Sequence, residues 1–102
     1  MFDVIIVGAG TAGCVLAEAL TRSGRRRVLL VEAGGEPDSR FVTIPAGFTK
    51  LFKGPLDWNL ESEPQAGAGG VRIYTPRGRM LGGSSNMNAQ IHQWCHPADF
   101  EG

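Results

Sequence analysis

The sequence predicts an α/β fold organised around a parallel strand–helix–strand unit, on three observations. An apolar run, Phe2-Asp3-Val4-Ile5-Ile6-Val7, leads into Gly8-Ala9-Gly10-Thr11-Ala12-Gly13. Ala12, Val15, Leu16, Ala19 and Leu20 then recur at helical spacing. A second apolar run, Val28-Leu29-Leu30-Val31, closes on Glu32. Short apolar runs of this kind belong to strands covered on both faces, as in a parallel sheet.

Each element has a physical task. Gly8 permits the tight turn after the first strand. Gly10 lets backbone approach a ligand closely, and Gly13 lets the helix lie near the strand. The helix N-terminus offers free N–H groups and the positive end of its dipole to phosphates. Glu32 stands where its carboxylate can accept hydrogen bonds from a ribose diol. This is the dinucleotide fingerprint of a Rossmann-like, doubly wound domain. A carboxylate at position 32 repels a 2′-phosphate, which disfavours NADP and leaves FAD or NAD. Glu18 and Arg22 form an i, i+4 pair in the favourable order. Gly24 ends the helix. Cys14 reads as a small packing residue.

The chain has 102 residues, enough for one small domain, yet the fingerprint accounts for only two strands. No second full strand–helix–strand unit follows Glu32. We therefore expect an N-terminal portion of a larger domain binding FAD or NAD, one that cannot close its own core. Its parts are the βαβ unit at 2–33, an irregular extension at 34–70 and a second motif at 76–91. The formal net charge is zero, which gives no footprint for nucleic acid or an anionic membrane surface. Arg25-Arg26-Arg27 reads as a solvated turn. Neither a signal peptide nor an apolar stretch of membrane-spanning length is evident, so a cytoplasmic location is expected. Cys14 and Cys95 do not make a disulfide framework. Cys95 lies beside His92 and His96, but three ligands in five residues is poor zinc spacing. No metal site is expected.

Residues 34–57 carry Gly34-Gly35, Pro37, Pro45, Gly47 and Gly54-Pro55. They read as a long irregular connection with a short helix around 46–51. Trp58 reads by default as a core residue. Residues 66–70 form a flexible glycine turn, and 71–75 alternate as a short strand. The second motif is Pro76-Arg77-Gly78-Arg79-Met80-Leu81-Gly82-Gly83-Ser84-Ser85-Asn86-Met87-Asn88. Alone it is an ordinary turn with an N-cap, or else a second backbone cradle with Arg77 and Arg79 adding positive charge.

Together the two motifs resemble the start of the glucose–methanol–choline (GMC) oxidoreductases, FAD-dependent alcohol oxidases and dehydrogenases. The resemblance rests on Val7 to Cys14, Leu30 to Gly35, Asp57-Trp58-Asn59, Pro76 to Arg79, Leu81 to Ser85, Asn88, and His96 to Phe100, and covers essentially the whole chain. It implies that Gly8, Gly10, Thr11 and Ala12 meet the FAD pyrophosphate. It places Glu32 on the adenosine ribose and Ala33 near the adenine. It puts Met80, Ser84, Asn88, Ala89, Gln90 and Ile91 along the flavin. Some members tether FAD through a His just before the Asn; Met87 stands there and cannot, so FAD is expected to be non-covalent. His92 and Cys95 also depart from the family's usual aromatic and glycine.

The implied activity is oxidation of an alcohol to an aldehyde or ketone by hydride transfer to flavin N5. The implied partners are the remainder of the enzyme, a small alcohol, and oxygen or another acceptor. The family's catalytic base lies far downstream, so no catalytic residue is expected here, and His92 and His96 read as structural. Rival readings are a lyase or decarboxylase on the same scaffold, a non-catalytic nucleotide-binding module, and an NAD-dependent dehydrogenase.

Overall fold

The computed structural model describes residues 1–91 and 93–101. Strand β1 (Val4–Val7), helix α1 (Thr11–Thr21) and strand β2 (Val28–Val31) form the predicted unit. The strands are parallel, in register from Val4 opposite Val28 to Val7 opposite Val31. Asp3 sets the start of the pair: its Oδ2 accepts the Arg27 N–H at 2.7 Å, and its own N–H donates to the Arg27 carbonyl at 2.8 Å. At the other end Gly8 takes φ +95°, a conformation costly for any side chain. Its N–H donates to the Val31 carbonyl at 2.7 Å, so the turn stays tied to β2. A Cβ on Gly13 would run into the Gly8 carbonyl, which fixes glycine where α1 crosses the strand. Glu18 and Arg22 pair at 2.8 Å on the exposed side of α1.

The apolar stripe of α1 does not face this sheet. Gly13, Cys14, Ala17 and Leu20 turn inward, whereas Val15 is 63% and Leu16 52% exposed. Three of these are small, as close helix–strand packing needs; apart from Leu20, the stripe forms a second, uncovered face. A helix apolar on both sides belongs inside a larger body. Ile5 at 63% and Val7 at 85% exposure leave the sheet uncovered in the same way. The Cα radius of gyration is 17.0 Å, against about 13 Å for a compact domain of about 100 residues.

A hydrophobic cluster joins the extension that reads as irregular to the second motif. Leu51, Met80 and Met87 are buried together, with Phe41, Val42, Phe52 and Leu56 packed around them. Helix α2 (Arg40–Thr43) supplies Phe41 and Val42, and a 3-10 helix at Pro45–Leu51, close to the expected 46–51, supplies Leu51. Of the expected strand 71–75, only Tyr74–Thr75 forms one (β4), antiparallel to Leu60–Glu61 (β3). The glycine turn is a 3-10 turn at Ala66–Ala68. His96 caps the 3-10 turn Pro97–Asp99: its Nδ1 accepts the Ala98 N–H at 3.2 Å. The expectation for His92 lies outside the described residues. Among the described residues no helix is long and apolar enough to cross a membrane, and no group of three His, Cys, Asp or Glu is placed to hold a metal.

Candidate dinucleotide site

The C-terminal ends of β1 and β2 open into a cleft of about 700 Å³, the edge where ligands bind in open parallel sheets. Val7, Gly8, Gly10, Val31, Glu32 and Ala33 form one side of it. Helix α1 starts at this cleft with Gly10 as N-cap, no side chain capping it and no acidic residue in its first turn. Its first N–H groups are thus left for an anion. A Cβ on Gly10 would meet nothing within 4 Å, so the space in front of that backbone is open to a ligand. Glu32 faces the same turn. Its Oε2 accepts the Ala9 N–H at 2.7 Å and its Oε1 the Gly34 N–H at 2.9 Å. These bonds, Gly34 first and then Ala9, hold its pKa below the ordinary glutamate range. The carboxylate is therefore ionised and oriented, with lone pairs left for a diol.

The second motif docks directly on the first. The Gly82 N–H donates to the Ala9 carbonyl at 2.7 Å, and the Leu81 N–H to the Gly35 carbonyl at 3.0 Å. A Cβ on Gly83 would lie 2.9 Å from the Gly10 Cα. Ser84 Oγ accepts the Gly78 N–H at 3.0 Å, which closes the loop on itself. Gly78, Gly83 and Ser84 thus form the opposite side of the cleft. A smaller cavity of about 250 Å³ adjoins it, lined by Phe48, Phe52, Pro76, Met87, Asn88 and Ala89. Arg77 and Ser84 line both cavities. Uncapped helix, open glycine backbone, oriented carboxylate and two cavities that share Arg77 and Ser84 fit a dinucleotide.

The structure sorts the sequence-derived residues. Gly8, Gly10, Glu32, Ala33 and Ser84 line the main cleft. Thr11 and Ala12 are exposed in the first turn of α1. Asn88 and Ala89 line the second cavity; Gln90 and Ile91 follow them, exposed. Met80 departs from its expected place on the flavin side. It is fully buried in one cluster with Leu51 and Met87 and lines neither cavity.

Trp58 also corrects the sequence reading. It lines the cleft at 45% exposure instead of packing in the core, with the Arg79 guanidinium 5.1 Å above its ring. Its neighbour Asp57 takes the buried position, at 3% exposure. Asp57 Oδ1 accepts the N–H groups of Asn59 and Arg77, both at 3.1 Å. Oδ2 accepts the Lys53 N–H at 2.9 Å and the Tyr74 hydroxyl. Burial pushes the Asp57 pKa up, but Tyr74 and the three backbone donors outweigh it and the net shift is downward. Burial and the Asp57 hydrogen bond push the Tyr74 hydroxyl up. Leu60, Arg77 and Gly78 complete the cleft and were absent from the sequence-derived set. The one signal for Arg77 was its charge beside the glycine motif.

Comparison with known proteins agrees with this geometry. Residues 6–54 match the family described as NAD(P)-binding Rossmann-like domain. The chain is 46% identical over 101 residues to the chloroplastic fatty acid photodecarboxylase of Chlamydomonas reinhardtii, covering 98% of this chain and 16% of that protein. It is 45% identical over 99 residues to an uncharacterised GMC-type oxidoreductase of Mycobacterium bovis, covering 97% of this chain and 19% of that one. The crystal structure of pyridoxine 4-oxidase from Mesorbium loti superposes with a TM-score of 0.94 at 40% identity, over 99% of this chain and 20% of that one. An FAD-dependent oxidoreductase from Chaetomium thermophilum superposes with a TM-score of 0.86 at 29% identity, over 99% of this chain and 17% of that one. The chain thus spans about a sixth to a fifth of the length of these relatives. Over nearly its whole length the chain is similar to an N-terminal portion of GMC-type oxidoreductases, and it carries a Rossmann-like nucleotide-binding fold.

Proposed function

We propose that this segment holds FAD without a covalent bond in an enzyme that oxidises an alcohol to an aldehyde or ketone. The observation that carries this is the docking of two glycine motifs, Gly83 against Gly10, around one cleft. A structural turn has no need of a second backbone cradle pressed against it.

In this reading 2–33 is the adenosine half of the site, and 76–91 borders the flavin half. The N–H groups at the start of α1, beside Gly10, Thr11 and Ala12, receive the diphosphate. Glu32 holds the ribose diol through its free lone pairs, and Ala33 borders the adenine. Ser84, Asn88, Ala89, Gln90 and Ile91 border the flavin. FAD, when bound, accepts a hydride from the substrate's carbinol carbon. The chain's own work is to fix where that acceptor lies and to shield it from water. The base that takes the hydroxyl proton, and the acceptor that removes electrons, oxygen or another, belong with the remaining polypeptide.

The first test is anaerobic addition of small primary and secondary alcohols to the FAD-loaded full chain. The reading expects bleaching of the flavin absorbance with at least one of them. A second reading, decarboxylation, is favoured by the 46% identity to a fatty acid photodecarboxylase. Illumination with a long-chain fatty acid separates the two: carbon dioxide release without alcohol-dependent bleaching would replace the alcohol reading.

A further inference from the structure

We infer that Arg77 is the cationic contact for the diphosphate of the bound dinucleotide, and that Asp57 holds it in place. The inference rests on the dinucleotide reading above and adds a residue to it.

Arg77 and Ser84 are the two residues that line both the main cleft and the cavity beside it. A ligand threaded through both passes them at its middle, and the middle of a dinucleotide is its diphosphate. The charges agree. Among the described residues lining the two cavities, Arg77 is the one cation and Glu32 the one anion. Glu32 sits at the β2 end, where a neutral diol suits it. A diphosphate therefore meets backbone N–H groups from α1 and positive charge from Arg77.

The guanidinium is available. One of its five N–H groups donates to the Pro76 carbonyl at 2.7 Å. Among the described residues the ion pairs are Arg22–Glu18 and Arg72–Glu63, so no carboxylate neutralises Arg77. Its backbone, by contrast, is fixed. The Arg77 N–H donates to buried Asp57, and its carbonyl accepts the Trp58 N–H at 2.9 Å. Asp57 thus acts as a positioning residue, clamping the segment that carries Arg77 against the one that carries Trp58. A planar fork held at a fixed backbone suits phosphate oxygens better than a mobile point charge.

The test compares ligands with and without phosphates on the full chain stripped of cofactor. FAD, ADP and adenosine are titrated against the wild type, Arg77→Ala and Arg77→Gln; the glutamine variant also covers a failure of the alanine variant to fold. Loss of a charge-assisted contact weakens FAD and ADP by about ten- to a hundredfold, while adenosine binds as before. Added salt weakens ADP binding more in the wild type than in the variants. ADP affinity unchanged in both variants overturns the inference, and so does an equal loss for ADP and adenosine, which marks a structural role. A wild type that binds neither FAD nor ADP defeats the dinucleotide reading itself.

Discussion

Glu32 closes the fingerprint turn, its Oε2 accepting the Ala9 N–H at 2.7 Å while Oε1 accepts the Gly34 N–H. One side chain thereby joins the loop after β1 to the loop after β2. Glu32→Ala removes these bonds and the ribose acceptor together. We expect FAD to bind about ten- to a hundredfold more weakly, from the loss of about 1.5–3 kcal/mol of charge-assisted bonding. Fluorescence titration of the stripped protein measures it, and unchanged affinity would remove Glu32 from the site.

The same carboxylate sets a pH dependence. Glu32 and Asp57 both have pKa values held below their ordinary ranges, so the folded state binds their protons more weakly than the unfolded chain. Their stabilisation is present at neutral pH. It is lost as pH falls below the ordinary carboxylate range of about 4 and on through the folded values. Thermal melts of the full chain from pH 7 down to 3 should show a declining midpoint that flattens in an Asp57→Asn, Glu32→Gln double variant. An identical decline in that variant would assign the acid sensitivity elsewhere.

Gly83→Ala should uncouple the two motifs. The added Cβ lies 2.9 Å from the Gly10 Cα, and residue 83 has φ +59°, so contact and backbone conformation both resist it. Overpacking of this kind costs about 1–3 kcal/mol. Denaturant unfolding reads the loss, and flavin affinity should fall with it. A variant as stable as wild type, with full affinity, would mean that the two loops do not depend on their contact.

Asp57→Ala leaves the N–H groups of Asn59 and Arg77 and the Tyr74 hydroxyl without their acceptor, and leaves the Lys53 N–H with its second acceptor alone, the Tyr74 hydroxyl oxygen at 3.1 Å. We expect a loss of about 2–4 kcal/mol, against about 1 kcal/mol for Tyr74→Phe, which removes one donor to Asp57 and a second acceptor of the Lys53 N–H. Equal costs for the two variants would show that the Tyr74 bond carries the whole network.

How much of this was legible in the sequence follows from how local each feature is. The β1–α1–β2 unit was, because Gly8, Gly13 and Glu32 each answer a local demand for a turn, a close crossing or an acceptor. Trp58 was not. Whether it faces core or cleft is decided by Asp57, which takes the buried position only because Tyr74 and Arg77 arrive from about twenty residues away. Met80 was misplaced for a similar reason. Its neighbours Leu51 and Met87 come from segments on either side, and no spacing rule links them. The stripe on α1 is apolar as read, but only Leu20 of it turns toward the sheet, while Val15 and Leu16 face away.

Cofactor identity and attachment test the central claim most directly. Met87 is 2% exposed, packed in the core, and no nucleophile for flavin is expected at that position. The full chain should purify yellow, and acid precipitation should release about one FAD per chain into the supernatant, identified by mass. A colourless protein that instead releases NAD, or flavin that stays with the precipitate, would contradict the account.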